Sequence, residues 1–330
     1  MTELNRRQAL WLASAGMAAL AGCSESSADD PDETVEGDGE LPLWASILPS
    51  TDQSPYVYGS IDVETMYTVL DADETDGGSE PTDPLLRNPI LLCSFGITTL
   101  STAPAVVQFY SNHDETPSGE GVLVYANGVY ALLGEYDRDA LVTDLEEAGY
   151  ASETDTESGS IYTDSESGEV VGLTDDVYAF AYPDGDDSAF DPKTAVEDFV
   201  TTATGEQEPK HVTDESFERL LRAGESSGIS LGLYTTDDEL DAATIEGAQQ
   251  DDTDNLDYAF DAFEGAYGVH QHLSVGDGDA YASAIVEHAD EDRVNVDRLE
   301  SSLGAEADSV DLTREGPTVS IAAEYDGDLS

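Results

Sequence analysis

Asn127-Gly128 stands between two arms rich in β-forming residues, in the run GVLVYANGVYALLGE that covers 121–135. No other short stretch of the chain constrains its fold as tightly. A two-residue type I′ turn needs positive φ at both central positions, which asparagine and glycine tolerate, so the arms must be adjacent antiparallel strands. A second hairpin is expected in GVHQHLSVGDGDAYASAIVEH, residues 268–288, folded about Asp277-Gly278. An antiparallel sheet in each half of the chain follows from these two signals.

The segments around the hairpins fill in the pattern. Residues 56–61 (YVYGSI) read as a strand, 85–100 as a buried helix in the most apolar stretch after residue 40, and 105–110 (AVVQFY) as another strand. Asp137 can cap a helix whose Leu141, Val142, Leu145 and Ala148 share one face and which Gly149 closes. Strands are expected at 160–163, 169–173 and 177–182. The last, VYAFAY, is apolar on both faces and belongs in a sheet interior. Helices follow at 191–202, with Pro192 in the first turn, and at 213–223, with Thr213 as cap and Phe217, Leu220 and Leu221 inward. In the second half, 228–234 (GISLGLY) reads as a strand, a helix near 296–303 ends at Gly304, and strands at 309–312 and 318–324 finish the chain.

Both halves therefore run strand, variable segment, hairpin, helix, further strands. Gly128, Tyr130 and Gly149 recur at a nearly constant offset as Gly278, Tyr281 and Gly304, which is consistent with an internal duplication. The predicted class is α+β: two similar two-layer domains, 41–205 and 206–330, each an antiparallel sheet with helices packed on one face. The order lacks the βαβ alternation of nucleotide-binding folds.

The charge narrows the setting. Asp and Glu number 73 against 11 Lys and Arg, a formal net charge of -62, and the only lysines are Lys193 and Lys210. Self-repulsion of that size opposes a compact state in dilute buffer. It becomes tolerable where molar salt shortens the Debye length to about 3 Å. In this respect the chain resembles proteins of salt-in halophilic archaea. Nucleic acid and anionic headgroups are poor partners for such a surface, and no nucleic-acid partner is expected. It also strips acidic clusters of meaning, because cations are attracted everywhere. Asp71, Asp73, Glu74 and Asp76 ahead of Gly77-Gly78 miss the calcium-loop spacing, since Thr75 and Asp76 fall at its fifth and sixth positions. These residues, and Asp184, Asp186 and Asp187, read as solvated loops.

The N-terminus is where placement is written. Arg6 and Arg7 precede an apolar run from Ala9 to Ala21, which falls short of the roughly 20 residues a bilayer requires. A basic start, a short apolar stretch and a small-residue exit describe an export signal. Arg6-Arg7 resembles a twin-arginine signal, with Asn5 in place of the usual Ser or Thr and Ala9-Leu10 in place of the usual Phe. Leu20-Ala21-Gly22-Cys23 resembles a lipobox. The chain is thus similar to the twin-arginine lipoproteins of haloarchaea, specifically over residues 5–23 and only compositionally beyond. The resemblance implies removal of 1–22, a lipid on the Cys23 sulfur, and a protein lying on the extracellular face of the cell membrane without crossing it. Residues 23–40, acidic and free of aromatics, are the expected disordered tether. With Cys23 lipidated, Cys93 has no disulfide partner in this chain and is expected as a small buried hydrophobe.

Candidates for chemistry are few. The patterns GESSG at 224–228 and GISLG at 228–232 place Ser226 and Ser230 in nucleophile-elbow spacing, but an elbow needs a strand before the serine and a helix after it, and here that order is reversed. His270 and His272 are two apart on a strand and share a face, a start for a zinc or copper site. In the Asp277-Gly278 register His272 stands opposite Ser283 and His270 opposite Ile285. No third ligand is placed, although His288 lies further along the partner strand. The sequence has no phosphate-cradling glycine loop, CxxC pair or HExxH motif, and no cofactor is expected.

Three functions remain open. The first is a non-catalytic surface lipoprotein that binds a partner or organises the envelope, its membrane contact made through Cys23. The second is a solute-binding lipoprotein of a transporter, which would need two alternating α/β lobes about a cleft. The third is a surface hydrolase or metalloenzyme, which would need Ser226, Ser230 or the His270/His272 pair to converge with other polar groups.

Overall fold

The computed structural model describes residues 39–66, 68–69, 81–102, 121–134, 136–156, 158–183, 190–225, 227–245, 258–276 and 279–326. The strands are β1 (Tyr56–Asp62), β2 (Val122–Ala126), β3 (Val129–Leu133), β4 (Ala151–Asp155), β5 (Ser160–Thr163), β6 (Val170–Leu173), β7 (Val177–Ala181), β8 (Ile229–Tyr234), β9 (Gly268–Val275), β10 (Asp279–Glu287), β11 (Ser309–Glu315) and β12 (Thr318–Asp326). They join one 12-stranded sheet in the order β11-β12-β10-β9-β8-β1-β2-β3-β7-β6-β5-β4. Every neighbouring pair is antiparallel. The helices are α1 (Pro84–Thr102), α2 (Arg138–Ala148), α3 (Pro192–Ala203), α4 (Lys210–Thr213), α5 (Glu215–Leu221) and α6 (Val296–Ser302).

The chain is α+β, and its strands are antiparallel, as the hairpin signals required. Two finer expectations are corrected. The strands of both halves share a single sheet, because β1 and β8 pair with each other at its centre, Tyr56 opposite Tyr234 and Ile61 opposite Ile229. The helices cover both faces, not one. On one face α1, α2 and α6 bury Leu85, Leu92, Leu141, Leu145 and Leu299 against Ile61, Leu123, Leu231 and Leu273. On the other, a short 3-10 turn at Leu43–Ile47 joins α3 and α5, burying Trp44, Phe199 and Phe217 against Tyr56, Tyr58, Val124 and Ala179. The cause is visible in the strands themselves. β7 and β8 are buried at every position, and a strand buried on both faces needs cover on both sides.

The same connectivity is used twice about this centre. From the middle outward one half runs β1-β2-β3-β7-β6 and the other β8-β9-β10-β12-β11. In each, a first strand leads to a hairpin, a helix follows, and the last strand returns beside the hairpin's second strand. β5 and β4 extend the first half only.

Local signals account for most boundaries. Asn127 and Gly128 have φ of 46° and 86°, and the turn they form joins β2 to β3. Asp137 caps α2 by accepting from the Ala140 N–H, and Gly149 ends it in the left-handed region. The expected Thr213 cap is corrected to Asp214, whose carboxylate accepts from the Ser216 and Phe217 N–H groups. Asp214 is extended, so the expected helix splits into α4 and α5. β4 (ASETD) was not expected: it is exposed throughout, carries no apolar alternation, and is held at the sheet edge by its backbone ladder to β5. The expected strand at 105–110, the Asp277-Gly278 turn and residues 1–38, including Arg6, Arg7, Leu20, Ala21, Gly22 and Cys23, lie outside the described residues. Cys93 is buried in α1, and burial pushes its thiol up to about 12. That makes it the inert apolar filler that was expected.

Candidate functional site

β9 alternates strictly. Val269, Gln271 and Leu273 point to the α1 side, and His270 and His272 to the α5 side. The register is the expected one, His272 opposite Ser283 and His270 opposite Ile285. On its other side β9 pairs with β8, which sets Ser230 opposite His272 and Gly232 opposite His270. A glycine at 232 leaves room for the Tyr58 ring, which reaches across from β1. The sheet thus draws five polar side chains into one buried row.

Their contacts are specific. Tyr58 Oη lies 3.0 Å from His270 Nδ1, and Ser230 Oγ lies 3.2 Å from His272 Nδ1. The Nε2 atoms of both imidazoles are buried without a hydrogen-bond partner. Glu225, in the turn between α5 and β8, brings Oε2 to 3.5 Å from His272 Nε2, close enough for an ion pair but without hydrogen-bond alignment. The backbone closes over the rings. A Cβ on Gly224 would meet His270 Nε2 at 2.5 Å, and one on Gly228 would meet His272 Nε2 at 3.0 Å. Exposure is 1% for each histidine and 0% for Ser230. Desolvation pushes His270 down to about 3, with a further push from His272, and pushes His272 down to about 4 against the opposing pull of Asp62. Both rings are therefore neutral near pH 7.

Of the residues nominated from sequence, Ser230, His270 and His272 are brought together and Ser226 lies outside the described residues. His288 is elsewhere: it follows β10, and its Nδ1 meets the Pro317 carbonyl at 3.1 Å. Asp71, Asp73, Glu74 and Asp76, and Asp184, Asp186 and Asp187, also lie outside the described residues. Among the described residues no group of three or more His, Cys, Asp or Glu side chains is placed to hold a metal ion. Chemically, the row offers two neutral imidazoles, each with one nitrogen tied to a hydroxyl. Sequence reasoning missed Tyr58 and Glu225. The period-2 pattern of YVYGSI fixes the face of Tyr58, but nothing local shows that β1 lies within reach of β9.

A second buried polar group was also missed. The Lys210 ammonium sits 4.9, 5.4 and 5.5 Å from the ring centres of Tyr56, Tyr234 and Phe217. This is cation–π geometry on three rings. Burial lowers its pKa, and Asp214 and Asp52 pull the other way. The Lys210 N–H donates to the Leu48 carbonyl, which ties the Leu43–Ile47 turn to α4. The role is structural.

No helix among the described residues is long and apolar enough to cross a membrane. No protein-family model matches the chain, and no curated protein matches it. Among solved structures the chain is similar to crystal form I of TP0453, with TM-score 0.40 and 12% identity over 88% of this chain and 95% of that one. It is likewise similar to crystal form III of TP0453, with TM-score 0.43 and 10% identity over 86% and 94%. A likeness at that level leaves the function to be argued from the chain's own residues.

Proposed function

We propose that the chain is a lipid-anchored protein of the extracellular face of the cell membrane in a high-salt organism, with a non-catalytic role in surface binding or envelope organisation. The observation that carries the non-catalytic part is burial. The side chains the sequence offers for chemistry, Ser230, His270 and His272, are packed under α5, and a partner meets a carboxylate-rich exterior instead. The N-terminal resemblance over residues 5–23 supports the anchor. In a halophilic host the wild-type chain is expected in the membrane fraction with a lipid mass on Cys23, and Cys23→Ser in the medium or soluble fraction. An unmodified Cys23 thiol, or protein in the cytosol with residues 1–22 still attached, overturns the anchor.

A second reading has one observation in its favour. Ser230, His272 and Glu225 form a hydroxyl–imidazole–carboxylate chain, the order of groups that activates a serine nucleophile. A fluorophosphonate probe separates the readings: the non-catalytic one expects no Ser230 adduct on the folded protein in molar KCl, and an adduct lost in Ser230→Ala establishes a hydrolase. The solute-binding reading draws no support from a sheet that runs unbroken through both halves.

A further inference from the structure

The fold closes over two imidazole nitrogens that make no hydrogen bond. Each His Nδ1 is held by a hydroxyl, so a proton added to either ring must be accommodated at Nε2 or by reversing the Nδ1 bond. Neither route is satisfied in the closed state. His272 Nε2 has only the Glu225 carboxylate, 3.5 Å away and misaligned. His270 Nε2 lies under the Gly224 backbone. A buried imidazolium with an unmet N–H is costly, and the cost vanishes once the ring reaches water.

The groups facing the pair leave that conflict standing. From β1 come the Tyr58 hydroxyl and the Asp62 carboxylate, from β8 the Ser230 hydroxyl, from β10 Ser283, and from the Leu43–Ile47 turn the Trp44 indole, stacked at 6.5 Å from His270. Three charged groups of α5 and its end are engaged elsewhere, Arg222 with Glu218 at 2.7 Å and Arg219 with Glu287 at 3.3 Å. Among the described residues Asp62 and Glu225 favour a charged ring, and both act on His272.

We propose that His270 and His272 form a proton-operated latch, in which uptake of protons by the two rings releases α5 and the Gly224 backbone from β9. The direction follows from linkage. In the closed state both rings stay neutral well below the ordinary histidine range, whereas once open they bind protons near pH 6.5, so the open state gains as pH falls through that value. Each ring shifts the equilibrium by up to about 10-fold per pH unit within the window.

The test is hydrogen exchange by mass spectrometry on the whole chain in molar KCl at pH 7 and pH 5, corrected for intrinsic exchange. The expected result is a loss of protection of roughly 25-fold for one ring to about 600-fold for both in 215–224 and 268–275, with β6 and β7 unchanged, and no pH-dependent loss in the His270→Gln/His272→Gln protein. Equal losses in wild type and variant, or unchanged protection in the wild type, overturn the latch. Should the variant fail to fold, ring-nitrogen NMR of the wild type decides. Rings neutral while protected and protonated only as protection is lost support the latch. Rings that titrate near 6.5 with protection intact overturn it.

Discussion

Transfer from about 3 M to about 0.1 M KCl is expected to unfold the protein cooperatively, since the Debye length then lengthens from below about 3 Å to about 10 Å. The chain carries 73 acidic and 11 basic residues, so most carboxylates have no cation to pair with. Arg293 alone is shared among Asp238, Glu239 and Asp290. Exposed pairs of this kind are worth at most about 1 kcal/mol each, too little against repulsion that extends across the whole surface. Trp44 gives a clean reporter, being 1% exposed and the only tryptophan outside residues 1–22. Its emission should shift to the red together with loss of far-ultraviolet ellipticity, and both should recover when salt is restored. Full ellipticity and unshifted emission at the lower salt would show that the core tolerates the charge unaided.

Phe217→Ala is expected to be the most damaging single truncation on the α5 side, at about 3–5 kcal/mol. The ring is fully buried and packs edge-on against Tyr58 at 5.0 Å, Tyr234 at 5.3 Å and Tyr56 at 5.4 Å. It also forms one wall of the Lys210 cage at 5.5 Å. Truncation would open a cavity and leave a buried ammonium with two rings in place of three. Urea unfolding in molar KCl measures the effect, and Phe217→Leu should recover roughly half of it, because it restores most of the volume but none of the ring contacts. A loss under about 1 kcal/mol for Phe217→Ala would show that α5 contributes little to the closed sheet.

The sequence made individual elements legible where backbone chemistry is local. Asn127-Gly128 demanded its turn, Asp137 its helix, and VYAFAY its interior place. β4 was illegible because an exposed edge strand needs no apolar face and is specified by its neighbour's backbone. The single sheet was illegible for a related reason. YVYGSI and GISLGLY each read as strands, but that they pair with one another depends on a contact between distant segments. The buried row followed the same division. The shared face of His270 and His272, and their partners Ser283 and Ile285, came from alternation and turn register. Tyr58, Ser230 and Glu225 were joined to them only by the pairing of β1, β8 and β9.

The seam between β1 and β8 has a consequence for biosynthesis. Its partners are roughly 170 residues apart, and contacts so remote in sequence form late and slowly. While a ribosome is still producing the first half, β1 has a bare edge where β8 will dock, an invitation to pair wrongly. Closure of the sheet must therefore wait until β8, residues 229–234 of a 330-residue chain, has been made, and until then the exposed edge of β1 is the place where a wrong partner does most harm.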